Sequence, residues 1–357
     1  MNKLKSYAAS KRGRDTLLCF GIVIIAYIIV QAAIAGGGIS SQIKGLLVPI
    51  CAYVVMAISL NLTVGILGEL SLGHAGFMSV GAFAGIVTTT CLADAIPLAP
   101  LRLAVAMVVA GLFAAIAGVI VGVPVLRLKG DYLAIITLAF AEIIRVVMLN
   151  IDDVLGFELT RGAAGLTGIP SYSNFLNVFL AVAIVCFLVH TMMKSRHGRS
   201  ILAIRDNEIA AEATGVNTTY YKTLAFVVSA FFAGVAGGLY AGCVGVLQPA
   251  NFGFMQSIEI LVMVVLGGMG SMLGSVLSAT VLTILPEALR AFSDYRMIAY
   301  AVVLILVMIF RPQGLLGSYD FSLSRIIERV MNRDFPWKKD KGADSGASVE
   351  EVSADGR

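Results

Sequence analysis

The sequence predicts an all-α polytopic membrane protein of about ten transmembrane helices (range 8–10). Three observations carry this prediction. Hydrophobic residues make up 58% of the chain and charged residues only 13%, against roughly 25% charged in a soluble domain. Such a chain of 357 residues has too little polar surface to wrap its apolar content in water. The charges are also segregated: 30 of the 48 fall in residues 1–15, 194–222 and 311–357. Between these blocks lie apolar runs near the length of about 20 residues that crosses a hydrocarbon core about 30 Å thick.

Taken in order, the runs are Thr16–Ile34, Leu46–Leu67, Ser71–Leu92, Leu103–Val125, Tyr132–Leu149, Phe175–Met193 and Thr223–Leu247. Three tighter runs follow: Gln256–Met269, Ser271–Leu289 and Met297–Phe310. The eighth ends in Gly267-Gly268-Met269-Gly270 and reads as a broken or half-spanning helix. The organisation is then a basic N-terminus (1–15), a first helix group (16–193), a polar loop (194–222), a second group (223–317) and a tail (318–357). After about Asp334 the tail is too polar to bury a core and is expected to be disordered.

Lysine and arginine set the orientation. With the N-terminus inside, 20 of the 26 basic residues fall inside, whereas Lys44, Arg102, Arg161, Arg290 and Arg296 fall outside. Arg145 lies within a span, and the acidic Asp152, Asp153 and Glu158 are outside. Both termini and the loop 194–222 are therefore expected in the cytoplasm. The basic start, apolar run and Ala33-Ile34-Ala35 mimic a secretory signal, but the run exceeds the ~15 residues of a signal core and is read as a span.

Cys19, Cys51, Cys91, Cys186 and Cys243 sit in or beside apolar runs, without a Cys-x-x-Cys or Cys/His pair. They read as small packing residues, and no metal site is expected. No Gly-Lys dipeptide occurs, which excludes a phosphate-binding P-loop. If ATP powers this chain, another chain hydrolyses it. The net charge of +4 is explained by the inside segments and implies no nucleic acid.

Three segments carry more than lipid-filling sequence. Between Asn61 and Phe77, glycines at 65, 68, 73 and 76 alternate with Asn61, Thr63, Glu69, Ser71 and His74. Irregular backbone at membrane depth is tolerated only in protein or beside a wet cavity, so this is a broken segment on a translocation path or a close helix contact locked by hydrogen bonds. In the run Tyr132–Leu149, Glu142 and Arg145 stand at i, i+3, on one face. A lipid-facing charge there costs ~2.5–3.5 kcal/mol, so that face looks inward, as a path lining or a helix lock. Glu259 raises the same question without an evident partner. The loop Arg196–Asn217 reads as two short helices, with Asn207 as cap and Gly215 as stop. Its apolar Ile201, Leu202, Ile204 and Ile209 suit docking into a partner's groove.

A family resemblance rests on four strings: the Leu-Asn-Leu and Ser-Leu-Gly-His-Ala elements between Ser59 and Ala82, the stretch Arg127–Arg145 that includes Thr137, the stretch Gly198–Phe226, and Arg-Pro-x-Gly-Leu-x-Gly at 311–317. These resemble the permease subunits of bacterial branched-chain amino acid ABC importers, above all the larger, LivM-type subunit. The resemblance implies a permease in the bacterial inner membrane that works by alternating access. It implies a second, LivH-like permease, two cytoplasmic ATPases carrying ATP and Mg, and an extracytoplasmic binding protein, with no cofactor in this chain itself. It makes Arg205–Gly215 the coupling helix, with Arg205, Asp206, Glu208, Glu212 and Gly215 facing an ATPase. Asn61, Glu69, Ser71, His74, Thr137, Glu142, Arg145 and Glu259 remain candidates for the path or for helix locks.

Glu69 departs from the family's usual neutral polar residue, and Thr160–Gly165 from its glycine- and asparagine-rich loop. Urea and short-amide importers use similar permeases, and a stand-alone transporter would use Glu142 and Glu259 as ion sites. The path segments offer mostly small and aliphatic side chains, so a path without a fixed site for a zwitterion is expected. Orientation is checked in a cysteine-free background: in intact cells an impermeant thiol reagent should reach Ala163→Cys and miss Arg199→Cys. The reverse pattern would refute the topology.

Overall fold

The computed structural model describes residues 41–310, apart from 94, 97, 157–159, 163, 168–174 and 290–294, together with 314–315. The predicted span Thr16–Ile34, the tail, Glu158, Arg290 and Arg311 lie outside the described residues. Within them the chain is almost wholly helical. Helix α1 (Ser41–Asn61) runs into a π-helical turn, Leu62–Leu67, and then breaks. Helices α2 (His74–Cys91), α3 (Ala99–Val125), α4 (Asp131–Leu155) and α5 (Phe175–Lys194) follow. The polar loop forms α6 (Arg196–Asp206) and α7 (Glu208–Ala213). Then come α8 (Thr218–Ala241), α9 (Phe254–Gly267), α10 (Met272–Ala288) and α11 (Arg296–Phe310). Each predicted apolar run in the described region has its helix. Five of these helices, α1, α3, α4, α5 and α8, are long and apolar enough to cross a membrane, and α9, α10 and part of α11 are shorter apolar helices.

The lone strand pair is short: Leu166 and Thr167 (β1) pair antiparallel with Leu247 and Val246 (β2). Side-chain caps set several helix starts. The oxygens of Ser195, Asn207, Asn217 and Ser271 accept from Gly198, Ala210, Tyr220 and Gly274 nitrogens respectively, which satisfies first-turn N–H groups.

Burial separates axis from rim. The apolar window of the first span (Gly45–Leu67) is 94% buried and that of α8 is 72% buried, whereas those of α4 and α5 are 22% buried. The exposed residues on α3 are Leu101, Val108, Phe113, Ile116 and Ile120 among others, an apolar surface suited to lipid or another membrane chain.

The axis is held by small residues, because lipid removes the hydrophobic drive between helices and leaves packing and hydrogen bonds. Ala110, Ala114, Gly118 and Gly122 of α3 face Gly238, Gly234, Ala230 and Phe226 of α8, antiparallel at four-residue spacing. A Cβ on Gly234 would sit 2.5 Å from the Ala110 carbonyl oxygen. On the other side of α8, Gly237 backs onto the Met78 carbonyl of α2. The sequence strings Leu112–Gly118 and Phe231–Gly237, alike at an offset of 119 residues, belong to this pair of helices.

Gly234→Val should therefore force α3 and α8 apart, at a cost of ~1–3 kcal/mol or more from overpacking. Folded yield in detergent and the thermal midpoint should both fall, while Gly45→Ala, with open space around the added carbon, should leave both unchanged.

Candidate functional site

The break after α1 is the site's scaffold. Gly68 takes a left-handed φ of 83° and ends the π turn. The chain then runs irregularly to Gly73 before α2 begins, with Ser71 buried and Glu69 largely so. Several of its backbone groups find partners, one within the turn and others on separate elements. The Glu69 nitrogen donates to the Thr63 carbonyl at 3.1 Å. The Leu72 nitrogen donates to Thr137 Oγ1 at 3.0 Å, and that hydroxyl donates to the Ala134 carbonyl of α4. Arg205 Nη1 on α6 donates to the Gly65 carbonyl at 3.2 Å. Asn61 Oδ1 accepts from the Gly270 nitrogen at 2.8 Å, tying the break to the glycine loop after α9. The chain after α11 joins the same node, since the Leu315 nitrogen donates to the Leu266 carbonyl at 2.7 Å. The Ser71 hydroxyl has no partner among the described residues.

His74 is the first residue of α2 and is 1% exposed. Its Nε2 lies 3.2 Å from Ser59 Oγ and 2.9 Å from Ser229 Oγ. Those hydroxyls already donate to each other's backbone carbonyls, both at 2.6 Å. Their protons are thus committed, so Nε2 carries the hydrogen and donates to both. Nδ1 has no partner among the described residues. His74 therefore pins α1, α2 and α8 together and is closed off from any path.

Glu69 meets Lys222, the one lysine at the start of α8. Lys222 Nζ stands 2.7 Å from Glu69 Oε1 and 2.9 Å from Glu208 Oε1, and its side chain is 6% exposed. Lys129 reaches Glu208 Oε2 at 3.1 Å from the solvent side. The hydrogen bond from the Lys222 ammonium, with a smaller one from Lys129, holds the Glu208 carboxyl below the usual carboxylate range despite partial burial. The cluster fastens the break, the α3–α4 loop, α7 and α8 to one another.

Glu142 and Arg145 do pair, at 2.6 Å, yet their side chains stay partly exposed at 35% and 28%. The second carboxylate oxygen accepts from the Phe254 nitrogen at 3.0 Å. Glu142 thus satisfies an N–H at the start of α9.

In the loop, Asp206 accepts from Arg205 at 3.1 and 3.3 Å, and Glu212 Oε1 accepts from the Thr218 hydroxyl at 2.7 Å. Gly215 has φ 84° with open space around it. The expected apolar docking face is corrected here: Ile201 packs with Leu62, Ile66, Leu67 and Ala225 of this same chain, Leu202 packs against that cluster, and Ile204 is buried. Amphipathic spacing marks a buried side but not whose surface buries it. Ile209 alone of the four faces outward, 80% exposed.

Of the candidate residues, the fold brings Asn61, Glu69, Ser71, Thr137, Arg205 and Glu208 to the node at the break. His74 sits deeper, Glu142 and Arg145 at the start of α9, and Glu259 apart, on the exposed flank of α9. Ser59, Ser229 and Lys222 were not singled out from sequence. A lone lysine opening an apolar run was the available signal for the last.

Comparison with known proteins agrees with this architecture. Residues 42–311 match the family described as "Branched-chain amino acid transport system / permease component", and the chain belongs to that family. It is 36% identical over 306 residues to the high-affinity branched-chain amino acid transport system permease protein LivM of Salmonella typhimurium, covering 74% of this chain and 67% of the relative. The LivM of Escherichia coli is 35% identical with the same coverage. The BraD permease protein of Pseudomonas aeruginosa is 29% identical over 284 residues, 74% of this chain and 91% of the relative. No solved structure matches. The protein is a multi-pass membrane permease component.

Lys222→Met would leave two carboxylates facing each other around a vacated cation site. Breaking a buried pair costs of order 3 kcal/mol, so the thermal midpoint in detergent should drop by several degrees, and Glu69→Gln should cost less. Because Glu208 is held below its ordinary range, its contribution is present at neutral pH and lost as pH falls through its folded value. Acidification should therefore lower the midpoint of the parent more than that of Glu208→Gln.

Proposed function

We propose that this chain is one of two membrane-spanning subunits of an ATP-driven importer for branched-chain amino acids in the bacterial inner membrane, with both termini cytoplasmic. Two partner ATPases carry ATP and Mg, a second permease completes the path, and an external binding protein delivers substrate. The relatives' names support the substrate class and the pairing of permeases.

The observation that carries the mechanism is the clamp of α6 and α7 on the break. Arg205 grips the Gly65 carbonyl and lays its stem on Gly68, while Lys222 binds Glu69 and Glu208. A partner that moves this helix pair moves the joint between α1 and α2. The exposed Ile209, Glu212 and Tyr220 form the outward side a moving ATPase would hold. Alternating access then follows from rocking two halves about a buried, non-helical hinge. The α6–α7 pair transmits the stroke, and Asn61 and Thr137 keep the hinge intact while it moves.

Vesicles holding the reconstituted complex should take up radiolabelled leucine, isoleucine and valine only with ATP and the cognate binding protein. Uptake of urea but not leucine would move the assignment to the amide branch, and leucine uptake by this chain alone would refute the importer reading. Gly215→Val strains a left-handed residue by ~1–3 kcal/mol, and Glu212→Lys reverses an exposed charge. Both should uncouple ATP hydrolysis from uptake without changing the binding protein's affinity. Normal uptake by both at normal expression would refute the coupling role.

A further inference from the structure

Glu259 is the in-membrane carboxylate that the helix locks do not use. Glu69 is held by Lys222 and Glu142 by Arg145. No hydrogen bond or ion pair reaches Glu259 among the described residues, and it stands on the exposed flank of α9. Glu259 stands eight residues, ~12 Å, before the end of α9 at Gly267, and Tyr53 stands eight residues, ~12 Å, before the end of α1 at Asn61. An ionised carboxylate at that depth is not left against lipid. The flank therefore needs protein, water or a ligand beside it.

The surroundings are chemically specific. Gln256 stands three residues before Glu259 on the same side of α9, and it leads to Tyr53 of α1 and Tyr240 of α8. The rings of Tyr53 and Tyr240 are 5.8 Å apart, and Gln256 Nε2 donates to the Tyr53 hydroxyl at 3.3 Å. Among the described residues neither lysine nor arginine joins the group. A carboxylate rimmed by tyrosine hydroxyls and ring faces suits a small ammonium, through charge-assisted hydrogen bonds and cation–π attraction. The half-buried Val262 one turn along α9 and the exposed Met255 one turn before it, at 74%, offer apolar surface for a side chain.

We infer that Glu259, with Gln256, Tyr53 and Tyr240, receives the ammonium group of a zwitterionic amino acid within the helix bundle. This rests on the importer reading above and replaces the expectation of a path without a fixed charge. The contact is open on one side, so it holds the substrate in transit without trapping it.

The test uses the complete importer in proteoliposomes, with leucine uptake expressed per assembled complex alongside ATP hydrolysis stimulated by loaded binding protein. Glu259→Gln should lower uptake by about tenfold to a hundredfold, the factor of one charge-assisted hydrogen bond, and leave stimulated hydrolysis within about twofold. Glu259→Asp, which keeps the charge, should retain more uptake than Glu259→Gln, and Tyr53→Phe should lose less than either. Uptake by Glu259→Gln equal to the parent would overturn the site while the importer stands. So would Gln and Asp variants that both lower the yield of complex but not the uptake per complex. A parent complex that hydrolyses ATP and moves no amino acid would overturn the importer reading, and the site with it.

Discussion

The structure depends on one constraint: backbone that is not helical at membrane depth must find every hydrogen bond inside the protein. The chain between Leu62 and Gly73 leaves the α-helical pattern, and groups in it are met by its own Thr63 and, from two other elements, by Thr137 and Arg205. Asn61, beside the turn, meets the Gly270 nitrogen from a third. Those requirements bring α4, the α6–α7 pair and the glycine loop after α9 to one point. They also explain the glycines. A Cβ on Gly73 would stand 2.5 Å from the Thr137 carbonyl, and one on Gly314 would stand 2.5 Å from Gly268 Cα.

Around that joint the helices need another source of cohesion, since lipid competes for apolar surface on equal terms. Close backbone approach supplies it between α3 and α8. The His74, Ser59 and Ser229 network adds hydrogen bonds that have no water to exchange with. A buried short contact of the Ser278 hydroxyl with the Met263 carbonyl does the same between α10 and α9. Charges are distributed on a different plan. The Lys222 cluster closes the loop end, and the Glu142–Arg145 pair caps α9. Glu259 alone of these carboxylates is left for something that arrives from outside the chain.

Much of this was legible in the sequence. Run lengths placed the described spans, because the bilayer fixes how many residues must be apolar in a row. The Asn61–Phe77 segment and the end of α9 were readable as breaks, since four glycines with buried polar residues make a poor lipid-facing helix. Asn207 and Gly215 were readable as cap and stop from local geometry alone. Family membership followed from strings spread over most of the chain.

What the sequence by itself determined is solvent and periodicity: which stretches must leave water, where a helix cannot continue, and which side of a helix is apolar. Those are properties of a residue and its near neighbours. Only the tertiary structure decided partners. That Arg205 reaches Gly65, that Lys222 answers Glu69, that Ile201 turns inward and that Tyr53 meets Tyr240 and Gln256 are facts about residues far apart in the chain. A charge or an apolar stripe announces that it needs a partner, but the energy of the contact depends on distance and burial. Both are set only when the helices pack.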